Sequence, residues 1–404
     1  MAKSEIIIRL PIDSTILSQI IYEGYLVYRK YGSFKKALEE LRKELPENVQ
    51  FNLVGNDITI MKSKGLRKGF PESLLMKLDP DKINEEVIET RAKEGKTYKN
   101  LFDPNFLEEL INSKLVDGDI IRVSEDDLKL KLSRGKALVG GQKDVASLQI
   151  LKIDRYTGFT SLESGLTSKQ ITMYLSINVA LLLILGLLSS LVIKRGNSFY
   201  LLFFSPVEVQ KLFLESSPVA IENYFIVKNM FKKVLNEVLS KVSHSELILL
   251  ELQINAGIYK AMKEKGLDFI SLNLIKIDRE GQAYKVYEHI PVEQYREPLF
   301  LNSIKSFIKN EENFLEGLMK ILDPKGDIIS AIGSMGTGKS YIEADNALRA
   351  AMSLYRFIFL GDPQGLFQFC RELANCYAKL KGGKRTEAKR AVRYQWILSR
   401  LSRI

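Results

Sequence analysis

The octapeptide Gly333-Ser334-Met335-Gly336-Thr337-Gly338-Lys339-Ser340 follows the phosphate-loop pattern G-x-x-x-x-G-K-[ST] letter for letter. In such a loop backbone N–H groups cradle phosphates, the lysine reaches the β- and γ-phosphates, and the hydroxyl ligates Mg²⁺. Gly333, Gly338, Lys339 and Ser340 are therefore candidate nucleotide-binding residues, with Ile328 to Ile332 as the preceding strand. The surroundings argue against this use. Only 64 of the 404 residues follow Ser340, too few for the several βα units of a nucleotide-binding sheet. The one downstream stretch ending in an acid that could hold Mg²⁺ is Phe357 to Asp362, but it continues the helical spacing of Ala347, Leu348, Ala351, Leu354, Tyr355 and Ile358. Asp362 fits better as the N-cap of the next helix. Three uses stay open: an ATP site, a glycine-rich turn before a helix, and a loop whose Lys339 and amides hold a nucleic-acid phosphate.

Three further clusters pair cations with flexible backbone or a helix face. Lys62, Lys64, Arg67 and Lys68 surround Gly65 and Gly69, which suits either a solvated loop or one that contacts phosphates. Arg134, Lys136, Gln142 and Lys143 are interleaved with Gly135, Gly140 and Gly141. Glycine lets backbone approach a ligand, and Gln or Arg can read base edges, although a plain linker accounts for the same residues. The last helix, Lys384 to Arg403, carries Lys384, Arg385, Lys389, Arg390, Arg393, Arg400 and Arg403 against Glu387 alone.

Other chemistry is poorly supplied. His244 and His289 are the only histidines, and Cys370 and Cys376 the only cysteines. That argues against a disulfide framework, a zinc site and histidine-based catalysis. No catalytic constellation, metal or cofactor is expected. A net charge of +10 and a pI near 9.2 favour a polyanionic partner, nucleic acid or anionic lipid. The usage, rich in Lys, Glu, Ile and Leu, resembles that of thermophiles. The N-terminus lacks a signal-peptide layout, so the expected location is cytoplasmic.

The elements that must position these residues imply an α+β fold. Residues 1–165 are expected to form a mixed α/β domain, with helices through Tyr28, over 34–45, over 83–99 and over 106–114. Residues 166–296 form a central α+β core, with hairpins at 190–204 and 268–290 around a buried helix. Residues 297–404 form an all-α bundle, with Leu366, Phe369, Cys370, Leu373 and Tyr377 as one apolar stripe. Between the hairpins, 245–265 reads as one helix, and so does 301–322.

The segment Ile171–Phe204 decides between a membrane protein and a core. No charged residue lies between Lys169 and Lys194. A span at 173–193 is one reading. Against it, Gly196-Asn197 between two apolar runs reads as a hairpin turn, leaving a helix over Met173–Leu188 of about 16 to 18 residues, short for a bilayer. Asn178 and Ser176 inside it are more easily satisfied in a protein core.

Three passages resemble a known family: DRYTGFTSLESGL at 154–166 leading into the apolar segment and VIKRGNSFYLLFFSP, then ELILLELQINAGIYKAMKEKGLDFISLNLIKI at 246–277, then SLYRFIFLGDPQGLFQFCREL at 353–373. In order of elements, residues 150–404 resemble the large subunit of type I CRISPR effector complexes (Cascade), in particular the archaeal type I-A branch. Lacking paired CxxC motifs, this chain would fall in the zinc-free branch. The resemblance implies a non-catalytic role in antiviral defence. Such a subunit sits at the foot of the ribonucleoprotein near the guide RNA, contacts the PAM, helps open the target duplex into an R-loop, and offers a surface to the nuclease-helicase. Its implied partners are the other Cascade subunits, crRNA, target double-stranded DNA, the displaced strand and the nuclease-helicase, with no membrane. No family position transfers residue by residue. On composition, the 62–68 and 134–143 clusters are assigned to target duplex or guide, and Lys384, Arg385, Lys389 and Arg393 to the displaced strand.

Overall fold

Alternation of charge and leucine in Lys129-Leu130-Lys131-Leu132 sets a strand with one buried face, and Leu130 is fully buried while Lys129 is exposed. The computed structural model describes residues 6–44, 58–61, 76–77, 96–99, 108, 110–112, 116, 123–133, 136–140, 144–146, 172–196, 198–215, 217–241, 244–280, 283–297, 300–301, 311–323, 325–335 and 340–401. In chain order come β1 (Ile6–Arg9), α1 (Ile16–Tyr31), α2 (Phe34–Glu44), β2 (Ile58–Met61), β3 (Met76–Lys77), β4 (Lys96–Lys99), β5 (Lys129–Ser133), β6 (Lys136–Val139), β7 (Asp144–Ala146) and β8 (Thr172–Ser176). Then follow α3 (Ile177–Ser190), β9 (Leu191–Arg195), β10 (Ser198–Phe204), α4 (Pro206–Leu214), α5 (Pro218–Leu239), α6 (Ser245–Ile254), α7 (Ala256–Glu264), β11 (Phe269–Glu280) and β12 (Ala283–Tyr295). The chain continues as α8 (Glu311–Ile321), α9 (Asp327–Gly333), α10 (Ala344–Leu360), α11 (Pro363–Leu380) and α12 (Arg385–Leu401). The fold is α+β, with its strands before residue 296 and a helical C-terminal region.

Two compact units form, one from residues 1–221 with 272–291, the other from 222–271 with 292–404. These do not coincide with the three expected segments. In the first unit the strand order is β1-β5-β6-β8-β7-β3 in one sheet, with β2 and β4 paired separately. β6 and β8 are parallel, with Lys136 opposite Thr172 and Val139 opposite Leu175, while β5 and β6 are an antiparallel hairpin. A second sheet runs β12-β11-β10-β9. Its β9–β10 hairpin turns at Gly196, in the left-handed region at φ 59°, as the Gly-Asn pair predicts.

The apolar segment at 171–204 is a strand, a helix and a hairpin. Met173–Ser176, expected as helix, belongs to β8, because Ser176 caps the helix that follows and its neighbours pair with β6. α3 has 14 residues, about 21 Å of rise, against a hydrocarbon core of about 30 Å. No helix among the described residues is long and apolar enough to cross a membrane. The membrane span at 173–193 is thereby corrected: the segment is interior. Polar residues find partners there, with Ser176 Oγ accepting from Val179 N at 3.5 Å and Asn178 Nδ2 donating to Asp127 at 3.1 Å.

α3 is held by α1. The two helices cross at Gly24 and Gly186, where a Cβ on Gly24 would overlap the Leu182 carbonyl and one on Gly186 the Ile20 carbonyl. Glycine at both positions is what lets the backbones touch. Beside the crossing, buried Glu23 accepts a hydrogen bond from Ser189 at 2.7 Å. At the other end of α1, the Arg29 guanidinium donates to the carbonyls of Leu212 at 3.2 Å, Phe213 at 2.9 Å and Glu215. That places a cation on the C-terminus of α4, where free carbonyls and the helix dipole favour it.

Other expected elements differ. Lys96–Lys99, read as the end of a helix, is strand β4 paired with β2. The 134–143 cluster is no single loop, since 136–139 is β6; Gly140, at φ 97°, leaves room for Ser176 Oγ in the core. The helix expected over 245–265 breaks at Asn255, whose side chain accepts from Ile258 N at 3.2 Å and so starts α7. Of the helix expected over 301–322, residues 302–310 lie outside the described residues and α8 begins at Glu311.

Candidate nucleic-acid interface

The second unit buries one apolar core, contributed by α6, α8, α9, α10, α11 and α12. On α11 this takes Phe369, Leu373, Cys376 and Leu380; of the stripe read from the sequence Phe369 and Leu373 are fully buried, while Leu366, Cys370 and Tyr377 pack against the core only partly buried. Asp362 caps α11 by accepting from Gln364 N at 3.0 Å. The core fixes which faces of α10, α11 and α12 remain for a ligand.

α12 sorts its cations into two kinds. Arg390 turns inward and donates to the Glu343 carboxylate at 2.7 and 3.2 Å, stacking its guanidinium 4.2 Å from the Tyr341 ring centroid. Glu343 is 0% exposed, so Arg390 neutralises an otherwise isolated buried charge. Arg393, 65% exposed, lies at the surface and pairs with the partly buried Asp327 at 2.8 Å. Lys384, Arg385 and Lys389 remain exposed. Arg385, Lys389, Val392 and Trp396 follow one another at helical spacing along an outer face, where Val392 and Trp396, the chain's single tryptophan, are both solvent-exposed.

The placement of these cations has no stabilising logic. Lys384 and Arg385 begin the helix, where the dipole favours anions, and Glu387 is the one acid of the first turn. Glu387 instead accepts from Lys384 N at 2.7 Å. At such an end the backbone dipole and the cationic side chains both attract negative charge.

α10 and α11 enclose an open groove of about 650 Å³. It is lined by Arg349, Arg356 and Arg371 together with Gln364, Phe367 and Gln368. Phe367 is 70% exposed. Arg356 pairs with Asp362 at 2.8 Å. Burial pushes the carboxyl of Glu372 up, but hydrogen bonds from Asn346 and Asn375 and the charges of Arg349 and Arg371 outweigh it, so it lies below the ordinary carboxylate range. Sequence reading missed this groove. Its one legible signal was Phe367, an aromatic lying off the apolar stripe of its helix.

The remaining sequence-derived residues are only partly placed. Lys62, Lys64, Arg67, Lys68, Arg134, Gln142 and Lys143 lie outside the described residues, and Lys136 opens β6. Gly338 and Lys339 also lie outside them. Gly333 ends α9, and Ser340 is exposed four residues before α10 begins. Ile328–Ile332, expected as the strand of a phosphate loop, is buried helix. Gly326 opens that helix and its isoleucines pack into the core, so the strand-to-helix geometry of a phosphate loop is not formed there. Among the described residues no group of three or more His, Cys, Asp and Glu side chains is arranged to hold a metal.

The chain is 37% identical over 408 residues to an uncharacterized protein of Archaeoglobus fulgidus, covering 97% of this chain and 98% of that protein. It belongs to the family of that archaeal protein. The alignment runs through the residues of both compact units. No family model matches the chain, and no solved structure matches it.

Proposed function

We propose that this chain is a non-catalytic, nucleic-acid-binding large subunit of a crRNA-guided CRISPR surveillance complex, working in the cytoplasm. One observation carries the nucleic-acid part. Lys384, Arg385 and Lys389 stand exposed at the positive end of α12, on the helix whose outer face also shows Trp396. Cations along a helix hold a phosphate backbone, and an exposed indole stacks a base of any identity, which suits a strand gripped without regard to sequence. The assignment to a CRISPR complex rests on the resemblance in order of elements over residues 150–404. In that role the helical unit steadies the displaced strand. The clusters at 62–68 and 134–143 supply contacts to PAM-bearing duplex or guide, and other surfaces meet the remaining Cascade subunits and the nuclease-helicase.

The reading is tested by expressing the tagged chain with its native neighbouring genes and identifying what is retained. Guide RNA and a repeated backbone subunit are expected in stoichiometric amount. Recovery of a monomer, free of RNA and without affinity for PAM-bearing duplex at low salt, would refute it. Tryptophan emission offers a second readout, since Trp396 is the sole source. Single-stranded DNA is expected to quench it.

A further inference from the structure

We infer that the groove between α10 and α11 is a second contact for a nucleotide unit, with its base on Phe367 and its phosphate on Arg349 and Arg371. The inference rests on the nucleic-acid reading above and adds a site that neither composition nor the resemblance assigns. Its volume, about 650 Å³, falls in the range of small-ligand sites. The chemistry of its wall is mixed in the way a nucleotide is mixed. Leu348 and Met352 give an apolar floor, Phe367 an exposed ring, Gln364 and Gln368 amide groups able to meet a base edge, and three arginines the charge.

The charges are not all committed. Arg356 is held by Asp362. The oxygens of Glu372 are occupied by Asn346 at 2.7 Å, Gln368 at 3.1 Å and Asn375 at 3.3 Å. The guanidiniums of Arg349 and Arg371 make neither a hydrogen bond nor an ion pair among the described residues and act on Glu372 only through space, yet both line the groove and both are exposed. Three guanidiniums facing two carboxylates leave a modest positive excess. A ligand held here therefore draws on stacking as well as charge. Planar guanidinium groups also suit bidentate contact with phosphate oxygens better than ammonium groups do.

The shared chemistry is a base joined to a phosphate, which can come from a strand or from a free nucleotide. The test titrates the full chain with a labelled oligothymidylate of about twelve nucleotides and, separately, with thymidine monophosphate. Three variants are compared: Phe367→Ala, the pair Arg349→Ala with Arg371→Ala, and the triple Lys384→Ala, Arg385→Ala, Lys389→Ala. All the substituted side chains are exposed, and unchanged thermal melting would confirm that each variant folds. Phe367→Ala is expected to weaken oligonucleotide binding roughly tenfold. The arginine pair is expected to lower the salt dependence by about 1.4 logarithmic units per decade. Equal affinity for the monophosphate would assign the groove to a free nucleotide, and much weaker binding would assign it to a strand. If Phe367→Ala and the arginine pair bind like the parent while the triple variant fails, the groove inference is wrong and the α12 contact stands. If the parent binds no strand at all, the nucleic-acid reading itself fails.

Discussion

Glu251 shows how one buried carboxyl couples stability to pH. It is almost wholly buried, its Oε1 has no hydrogen-bond partner, and burial, reinforced by the nearby charge of Asp323, raises it well above the ordinary carboxylate range. Raised in the folded state, it keeps its proton there after the unfolded chain has lost its own. Stability therefore falls as pH climbs above about 4.3, the unfolded value, and levels off once the folded pKa is passed. Glu251→Gln should flatten this decline. Melting temperatures of both proteins from about pH 4 upward would check it, and parallel curves would refute it. Arg390 and Lys389, adjacent in sequence, show how far neighbours can part: one closes a buried ion pair, the other meets solvent. Composition marks both as basic and cannot separate them, because the difference lies in Glu343, which is 47 residues away.

At the scale of elements, the crossing of α1 and α3 makes a sharper claim than either helix alone. Ala replacing Gly inside a helix ordinarily stabilises it by about 0.5–1 kcal/mol. At Gly24 or Gly186 the added methyl meets backbone of the opposite helix, so each of Gly24→Ala and Gly186→Ala should destabilise by about 3 kcal/mol or more. Chemical denaturation distinguishes these signs directly; a stabilised variant would mean the helices do not touch there. Element types were legible where periodicity or caps were strong, as in the β9–β10 hairpin around Gly196 and in α11 behind Asp362. They were misread where pairing partners decide. Met173–Ser176 reads as helix from its apolar run, but β6 recruits it as a strand. Ile328–Ile332 reads as strand from its isoleucines, yet it closes a helical core.

Across the whole molecule, a net charge of +10 favours polyanions without saying where they bind. Folding concentrates part of that charge: α12 turns Arg390 onto the buried Glu343, pairs Arg393 with Asp327 at the surface, and leaves Lys384, Arg385 and Lys389 exposed. If those three neutralise strand phosphates, the logarithm of affinity should fall with the logarithm of salt, and their triple alanine variant should lower that slope by about 2. An affinity insensitive to salt would contradict contact with phosphates. Composition and periodicity are local properties, so the α+β class, the basic balance and the scarcity of His and Cys were legible in the sequence, while for 171–204 they left a membrane span open beside a core. The packed chain settled the rest. It broke the phosphate-loop pattern by placing a helix before it, paired some cations and exposed others, and set α10 beside α11 to make a groove. Each depends on which distant residue a side chain meets, and spacing along the chain does not record that.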